Sequence, residues 1–269
     1  MSKDDARFLG SIPEYYDRHL GPVIFEPFAV DLAGRVAAMS PQTVLEVACG
    51  TGIVTRRMLE RLPAGTRVVA TDLNLPMLDH AERAVGPDER VKWRVTDATS
   101  LPFADAWYDA YVCQFGYMFF PDRLKAAREA KRVLKTGGKA FVSMWERLSR
   151  NRFAELANET LVKFFPEDPP KFYQTPFNWH DEADIRQTFE KAGFHDVKVE
   201  KVERMGHAES ARHFAVGLVQ GNPSALEISE RGAVPHSAVI DALADALALE
   251  GGEAPFESPL RTLRVTATA

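Results

Sequence analysis

The chain has 269 residues, 45% of them hydrophobic and 26% charged, with a formal net charge of −5. That length buries one sizeable core, and a single α/β domain with an insertion fits it better than two independent domains. The acidic balance supplies no basic field to recruit nucleic acid, two cysteines exclude a disulfide framework, and no apolar run approaches the ~18 residues of a membrane span. The start, Met1-Ser-Lys-Asp-Asp5, lacks the basic and apolar stretches of a leader, so a cytoplasmic protein without membrane insertion is expected. Residues 1–40 are predicted to form a helical cap. Phe28, Leu32 and Val36 repeat there at helical spacing, behind Tyr15-Tyr-Asp-Arg-His19 and Gly21-Pro22.

Thr43-Val-Leu-Glu-Val-Ala-Cys-Gly-Thr-Gly52 is the most informative stretch. A β-branched, apolar strand breaks into a loop with two glycines, and a helical pattern follows from Ile53 to about Leu62. The dinucleotide fingerprint needs a third glycine, and here Thr55 stands in its place. Glu46, just ahead of the loop, would repel a pyrophosphate and attract a cation. A ligand with an adenosine end, an ammonium and a sulfonium suits such a loop better than NAD. The stretch resembles motif I of the class I S-adenosylmethionine (SAM) dependent methyltransferases, E-x-[AGP]-[CA]-G-x-G. The resemblance puts Glu46, Ala48, Gly50, Thr51 and Gly52 beside the cofactor.

The second predicted strand, Arg67-Val-Val-Ala-Thr-Asp72, ends in a carboxylate about 20 residues beyond the loop, the offset for accepting both hydroxyls of a ribose. Leu73 and Met77 follow as apolar neighbours of an adenine, with Pro76 suited to the first turn of a helix through Ala84. A third strand, Val91 to Val95, delivers Thr96-Asp97-Ala98-Thr99. By resemblance, Asp97 takes the adenine amino group, and the adjoining Ala98 and Thr99 offer a backbone amide. Leu101-Pro-Phe103 and Trp107-Tyr-Asp109 are similar to the family's LPF…FD segment.

The fourth strand, Ala110 to Cys113, leads into Gln114-Phe-Gly-Tyr117, which should face the methyl group and its acceptor beyond the strand ends. Arg128 to Lys139, the densest basic stretch, reads as a solvated helix face and a turn. It resembles the family's R-x-L-x-P-G-G corner, with Thr136 replacing proline. Gly137 and Gly138 are expected to supply positive φ before strand five, Ala140 to Met144. These ordered motifs cover residues 43–145. They are closest to the small-molecule group that includes ubiquinone/menaquinone-biosynthesis-type enzymes.

The remainder divides into an aromatic insertion at 146–180, broken by Pro166-Glu-Asp-Pro-Pro170, and a C-terminal part at 181–269 that completes the same domain. The insertion is expected to build the acceptor pocket. Asp181 is a predicted N-cap for a helix ending at Gly193, and His195 to Val202 make strand six. Helices starting at Ser210 and Ser237 precede a last strand, Arg261 to Ala269. The implied fold is a Rossmann-like, seven-stranded methyltransferase sheet, mostly parallel with its last strand antiparallel between strands five and six, flanked by helices and capped at the N-terminus.

The resemblance implies in-line methyl transfer from SAM to a small-molecule acceptor, leaving S-adenosylhomocysteine, in a monomer or homodimer. It also places the hydroxyl of Tyr16, on the cap, near the cofactor. His19, Tyr117 and His180 are the polar residues best placed to assist deprotonation, and each reads more readily as a structural hydrogen-bonder. No catalytic base is therefore assigned. No metal is expected, since the His, Cys and carboxylates lack ligand spacing. Rival readings are a SAM-binding protein without catalysis, an NAD-dependent oxidoreductase, and a nucleic-acid methyltransferase. The last lacks an Asn/Asp-Pro-Pro-Tyr/Phe motif at Gln114 to Tyr117.

Overall fold

The computed structural model describes residue 8 and residues 10–269. The start of the expected cap, residues 1–7 and 9, lies outside the described residues. A seven-stranded sheet has the order β3-β2-β1-β4-β5-β7-β6, built from β1 (Thr43–Val47), β2 (Arg67–Asp72), β3 (Val91–Val95), β4 (Tyr108–Gln114), β5 (Leu134–Trp145), β6 (His195–Ala208) and β7 (Phe256–Thr268). β1 to β5 pair in parallel, and β7 runs antiparallel to both β5 and β6. The order reverses between β1 and β4, and a crevice opens beyond the carboxyl ends of strands at such a switch point. Central strands are buried on both faces, which is why Val44, Leu45, Tyr111 and Val112 have no exposed surface.

α1 (Ile12–Tyr15) passes without a break into a wider i→i+5 winding, Tyr16–Phe25, and then into α2 (Glu26–Ala37). α3 (Ile53–Arg61), α4 (Leu75–Val85) and α5 (Arg123–Val133) link the parallel strands. α6 (Arg152–Phe164) lies in the aromatic segment, followed by α7 (Glu182–Lys191), α8 (Ala211–Gln220), α9 (Ser224–Arg231) and α10 (His236–Gly251). Capping follows the sequence at α7, where Asp181 accepts from the Ala183 and Asp184 amides at 2.9 Å. Ser210 caps α8 in the same way, accepting from the His213 amide at 3.0 Å. The carboxylate of Asp184 takes the Trp179 indole N–H at 2.6 Å.

Several expectations need correction. β6 continues to Ala208 and β7 begins at Phe256, because residues 203–208 pair with 256–261 and satisfy one another's backbone. β5 starts at Leu134, before the glycine corner. Only Gly137 there has positive φ, at 79°. Gly138 is required for closeness instead, since a Cβ would sit 2.9 Å from the Lys135 carbonyl oxygen and 3.1 Å from that of Asp109. α10 begins at His236 behind Pro235, one residue ahead of the expected Ser237. α9 was not anticipated at all.

The segment after β5 is tied down by Asn151, which has no exposed surface. Its Oδ1 accepts from the Arg261 amide at 2.8 Å, and its Nδ2 donates to the Arg261 carbonyl at 3.0 Å. Replacing Asn151 with alanine leaves the part-buried Arg261 amide without this partner, at a cost of about 1–3 kcal/mol, while the Arg261 carbonyl keeps the Glu146 amide at 3.1 Å. A loss of roughly 1–3 kcal/mol in urea unfolding is expected. A loss below about 0.5 kcal/mol would show that water replaces the amide at no cost.

Candidate functional site

Three adjoining cavities open at the switch point. The first, a cleft of about 770 Å³, is floored by Val47, Ala48 and Gly50 at the end of β1 and walled by residues following β2, β3 and β4. The second, about 520 Å³, is enclosed mostly by rings and aliphatic chains. The third, about 310 Å³, lies behind the glycine loop against Glu46, Thr51 and Gln114.

The loop owes its shape to left-handed backbone at Ala48 (φ 55°), Gly50 (φ 57°) and Gly52 (φ 79°). It is bonded to β2 at two points. The Cys49 amide donates to the Thr71 carbonyl at 2.9 Å, and the Gly50 amide donates to Asp72 Oδ2 at 2.9 Å. The other oxygen of Asp72 accepts from the Asn74 amide at 2.8 Å. Burial raises the pKa of Asp72, and these backbone donors oppose the rise. Asp72, only 6% exposed, thus both shapes the loop and lines the cleft.

Glu46 is buried at the end of β1, and its Oε2 accepts from the Thr55 hydroxyl at 2.6 Å. Thr55 thus holds the acid that would distinguish this loop from a dinucleotide site. Burial pushes the Glu46 carboxyl up to about 8, against the pull of Thr55 and with a further push from Asp72. Among the described residues no cation is paired with it. Gln114 donates through Nε2 to the Phe25 carbonyl at 3.2 Å, which leaves Oε1 buried without a partner. The Thr51 hydroxyl is buried and unpartnered too. An amide oxygen without a donor and a hydroxyl free to accept, beside a carboxyl with no cation, make a site for a ligand that carries positive charge and N–H groups.

On the other side of the cleft, Asp97 Oδ1 accepts from the Thr99 amide at 2.7 Å and the Thr99 hydroxyl at 2.8 Å, leaving Oδ2 available. Leu73, Met77 and Ala98 add apolar wall there. Tyr16 lines all three cavities. It stacks on Phe25 with ring centroids 4.6 Å apart, and Phe8 meets it edge-on at 5.9 Å. Burial, then the charges of Asp72 and Asp17, drive its hydroxyl well above the usual tyrosine range. The wide winding of this segment brings residues four or five apart onto one side, so Leu20 and Ile24 join Tyr16 around the second cavity.

Of the residues singled out in the sequence, Tyr16, Glu46, Ala48, Gly50, Thr51, Asp72, Leu73, Met77, Asp97, Ala98 and Gln114 line the first or third cavity. Gly52 and Thr99 line none of the three. A Cβ on Gly52 would approach Ala81 Cβ to 3.1 Å, so this glycine serves packing of the loop against α4. Thr99 acts on Asp97. Tyr117 does not face the cleft either, because its ring turns into the core, 5.7 Å from Trp179 and 5.4 Å from Phe189. His180 is bonded through Nδ1 to the Phe177 carbonyl at 2.8 Å, and His19 packs on His213 at 4.2 Å. Both lie off the three cavities. Phe115, in the segment expected to face the acceptor, lines the first and second cavities, whereas sequence reasoning missed Phe25, Trp145 and Asn222, which line the second one. Their apolar or amide side chains carry no motif, and only tertiary packing assembles them. Among the described residues, no group of three or more His, Cys, Asp or Glu could hold a metal ion, and no helix is long and apolar enough to cross a membrane.

Comparison with known proteins places this geometry in context. A family model described as a methyltransferase domain matches residues 45–142. The chain is 30% identical over 198 residues to a demethylmenaquinone methyltransferase of Renibacterium salmoninarum, covering 70% of this chain and 81% of that protein. It is 41% identical over 115 residues to the demethylmenaquinone methyltransferase of Thermus thermophilus, covering 42% of this chain and 50% of the relative. A crystal structure of a SAM-dependent methyltransferase from Thermotoga maritima shares the fold, with a TM-score of 0.55 and 17% identity over 100% of this chain and 99% of the other.

Proposed function

Because this chain belongs to the class I SAM-dependent methyltransferases, of the type that serves ubiquinone and menaquinone biosynthesis, we propose that its three cavities divide the work of one methyl transfer. The first cleft takes the adenosine of SAM, with Asp72 on the ribose and Asp97 on the adenine. The third takes the cationic amino-acid end, with Glu46, Gln114 and Thr51 supplying acceptors. The second takes the methyl acceptor, a planar and largely apolar small molecule of the kind the names of the relatives point to. Tyr16 stands where the three meet. The observation that carries this reading is the set of buried acceptors, Gln114 Oε1 and Thr51 Oγ1, beside an unpaired carboxyl.

When bound, SAM supplies a methyl group already activated on a sulfonium. The protein has to position the acceptor in line with it and exclude water. The rings of Phe25, Phe115 and Trp145 serve both ends, since Phe115 and Trp145 stack at 4.4 Å and form a rigid apolar wall.

Isothermal titration tests the proposal. SAM and S-adenosylhomocysteine are expected to bind and NAD is not; NAD binding without a SAM response would sink it. The same titration reads Glu46. In the free protein its carboxyl, at about 8, is protonated at neutral pH. A cationic ligand favours the carboxylate, so binding at pH 7 should release up to about one proton, seen by varying the buffer's ionisation enthalpy. Glu46→Gln should abolish the release. The sign for stability is the opposite of a salt-bridged acid. Between the ordinary glutamate value of 4.5 and about 8 the folded chain holds a proton that the unfolded chain has lost, so stability falls as pH rises through that window. Glu46→Gln should remove that slope, which urea unfolding at pH 5 and pH 9 measures.

A further inference from the structure

The polar atoms of the second cavity are concentrated at one place. Tyr173 and Asn222 line this cavity and neither of the others. The Tyr173 hydroxyl donates its hydrogen to the Leu218 carbonyl at 2.6 Å. Asn222 Nδ2 donates to the same carbonyl at 2.8 Å and to Tyr173 Oη at 3.3 Å. On its other side, Asn222 Oδ1 accepts from the Ser224 amide at 2.9 Å and the Ser224 hydroxyl at 2.6 Å. Asn222 therefore has both donors and both acceptor sites in use, and it cannot turn without losing them. The Tyr173 proton is committed as well. What remains unused is one lone pair on Tyr173 Oη, held in place by the amide behind it.

Burial holds the Tyr173 phenol far above its usual pKa, so the oxygen is a neutral acceptor. Tyr16 is the other hydroxyl on this cavity, but it stands at the junction beside the glycine loop. Resting on the reading of the second cavity as the acceptor site, we propose that Tyr173 Oη, positioned by Asn222, selects methyl acceptors bearing a hydrogen-bond donor, an O–H or N–H on a planar aromatic body. The surrounding rings, among them Phe172 and Phe177, hold that body and leave the donor one partner. The segment carrying α8 and α9 thereby enters specificity through Leu218 and Asn222.

Equilibrium dialysis on the S-adenosylhomocysteine-saturated protein tests this with 2-naphthol and 2-methoxynaphthalene, which differ in the donor. Wild type is expected to bind 2-naphthol about three- to tenfold tighter, the worth of one neutral hydrogen bond. Tyr173→Phe keeps the ring and the Asn222–Leu218 bond, and should weaken 2-naphthol alone until the two probes match. Asn222→Ala should narrow the gap without closing it, since the phenol stays but loses its positioning. A preference that survives in Tyr173→Phe, or none in wild type, overturns the proposal. Binding of neither probe overturns it together with the aromatic reading of the cavity. The S-adenosylhomocysteine titration on the same samples shows separately whether the cofactor cleft is intact.

Discussion

Asp72→Asn is expected to lower SAM affinity by roughly ten- to a hundredfold while leaving the protein folded. Charge-assisted hydrogen bonds are worth about 1.5–3 kcal/mol each, and the carboxylate is proposed to accept two ribose hydroxyls. The structure adds a second reason. Asp72 also receives the Gly50 and Asn74 amides, and an amide side chain would turn a donor toward one of them. Loop shape and ligand contact therefore fail together. Stability should change little, because the neutral side chain also sheds the cost of burying a charge, which is what raises the Asp72 pKa. Asp97→Ala should cost less than about fivefold, since Asp97 is solvent-exposed and one of its oxygens is already occupied by Thr99. Calorimetric titration decides both. A folded Asp72→Asn protein that binds SAM as tightly as wild type would remove Asp72 from the cofactor site.

The second large effect concerns the acceptor. Phe172→Ala is expected to cut kcat/KM for the acceptor at least roughly tenfold while SAM affinity stays within about threefold. A buried phenyl contributes about 1.5–3 kcal/mol of apolar contact, and that contact is lost to the acceptor. The split follows from geometry, since Phe172 lines the second cavity and not the first. The substitution also costs stability, because Phe172 is 5% exposed and stacks on Phe119 at 6.3 Å. Kinetics well below the melting temperature separate the two. Leu218→Phe, on α8, fills the same cavity from another element and should raise the acceptor KM as well. Equal losses for SAM and acceptor would make residues 146–180 a structural lid.

The sheet was legible because its strands are runs of β-branched and apolar residues closed by turn chemistry, and the loop at 48–52 declares itself through glycines and an acid. Asp72 and Asp97 follow from their places at strand ends. Other features had no local signal. The wide winding at Tyr16–Phe25 looks like an ordinary helix broken by Gly21-Pro22, and only the contacts of Tyr16, Leu20 and Ile24 give it meaning. α9 is short, with Ala225 and Ile228 its buried apolar residues, and its start depends on the Asn222–Ser224 bonds that no periodicity reveals. Tyr117 was misread for a physical reason: it follows a strand end, yet Trp179 and Phe189 offer its ring a core site. The second cavity draws on the cap, β5, the aromatic segment and α8 together, so no stretch of sequence contains it.

The central claim is that this chain moves a methyl group from SAM to a planar, largely apolar small molecule. It is tested most directly by incubating the protein with a metabolite extract and methyl-labelled SAM, then identifying the labelled compound by mass spectrometry. Label is expected on an aromatic, poorly water-soluble small molecule, with its appearance lost in Asp72→Asn and reduced in Phe172→Ala. Label on a highly charged metabolite or on nucleic acid, or none at all from a protein that binds SAM, would contradict it.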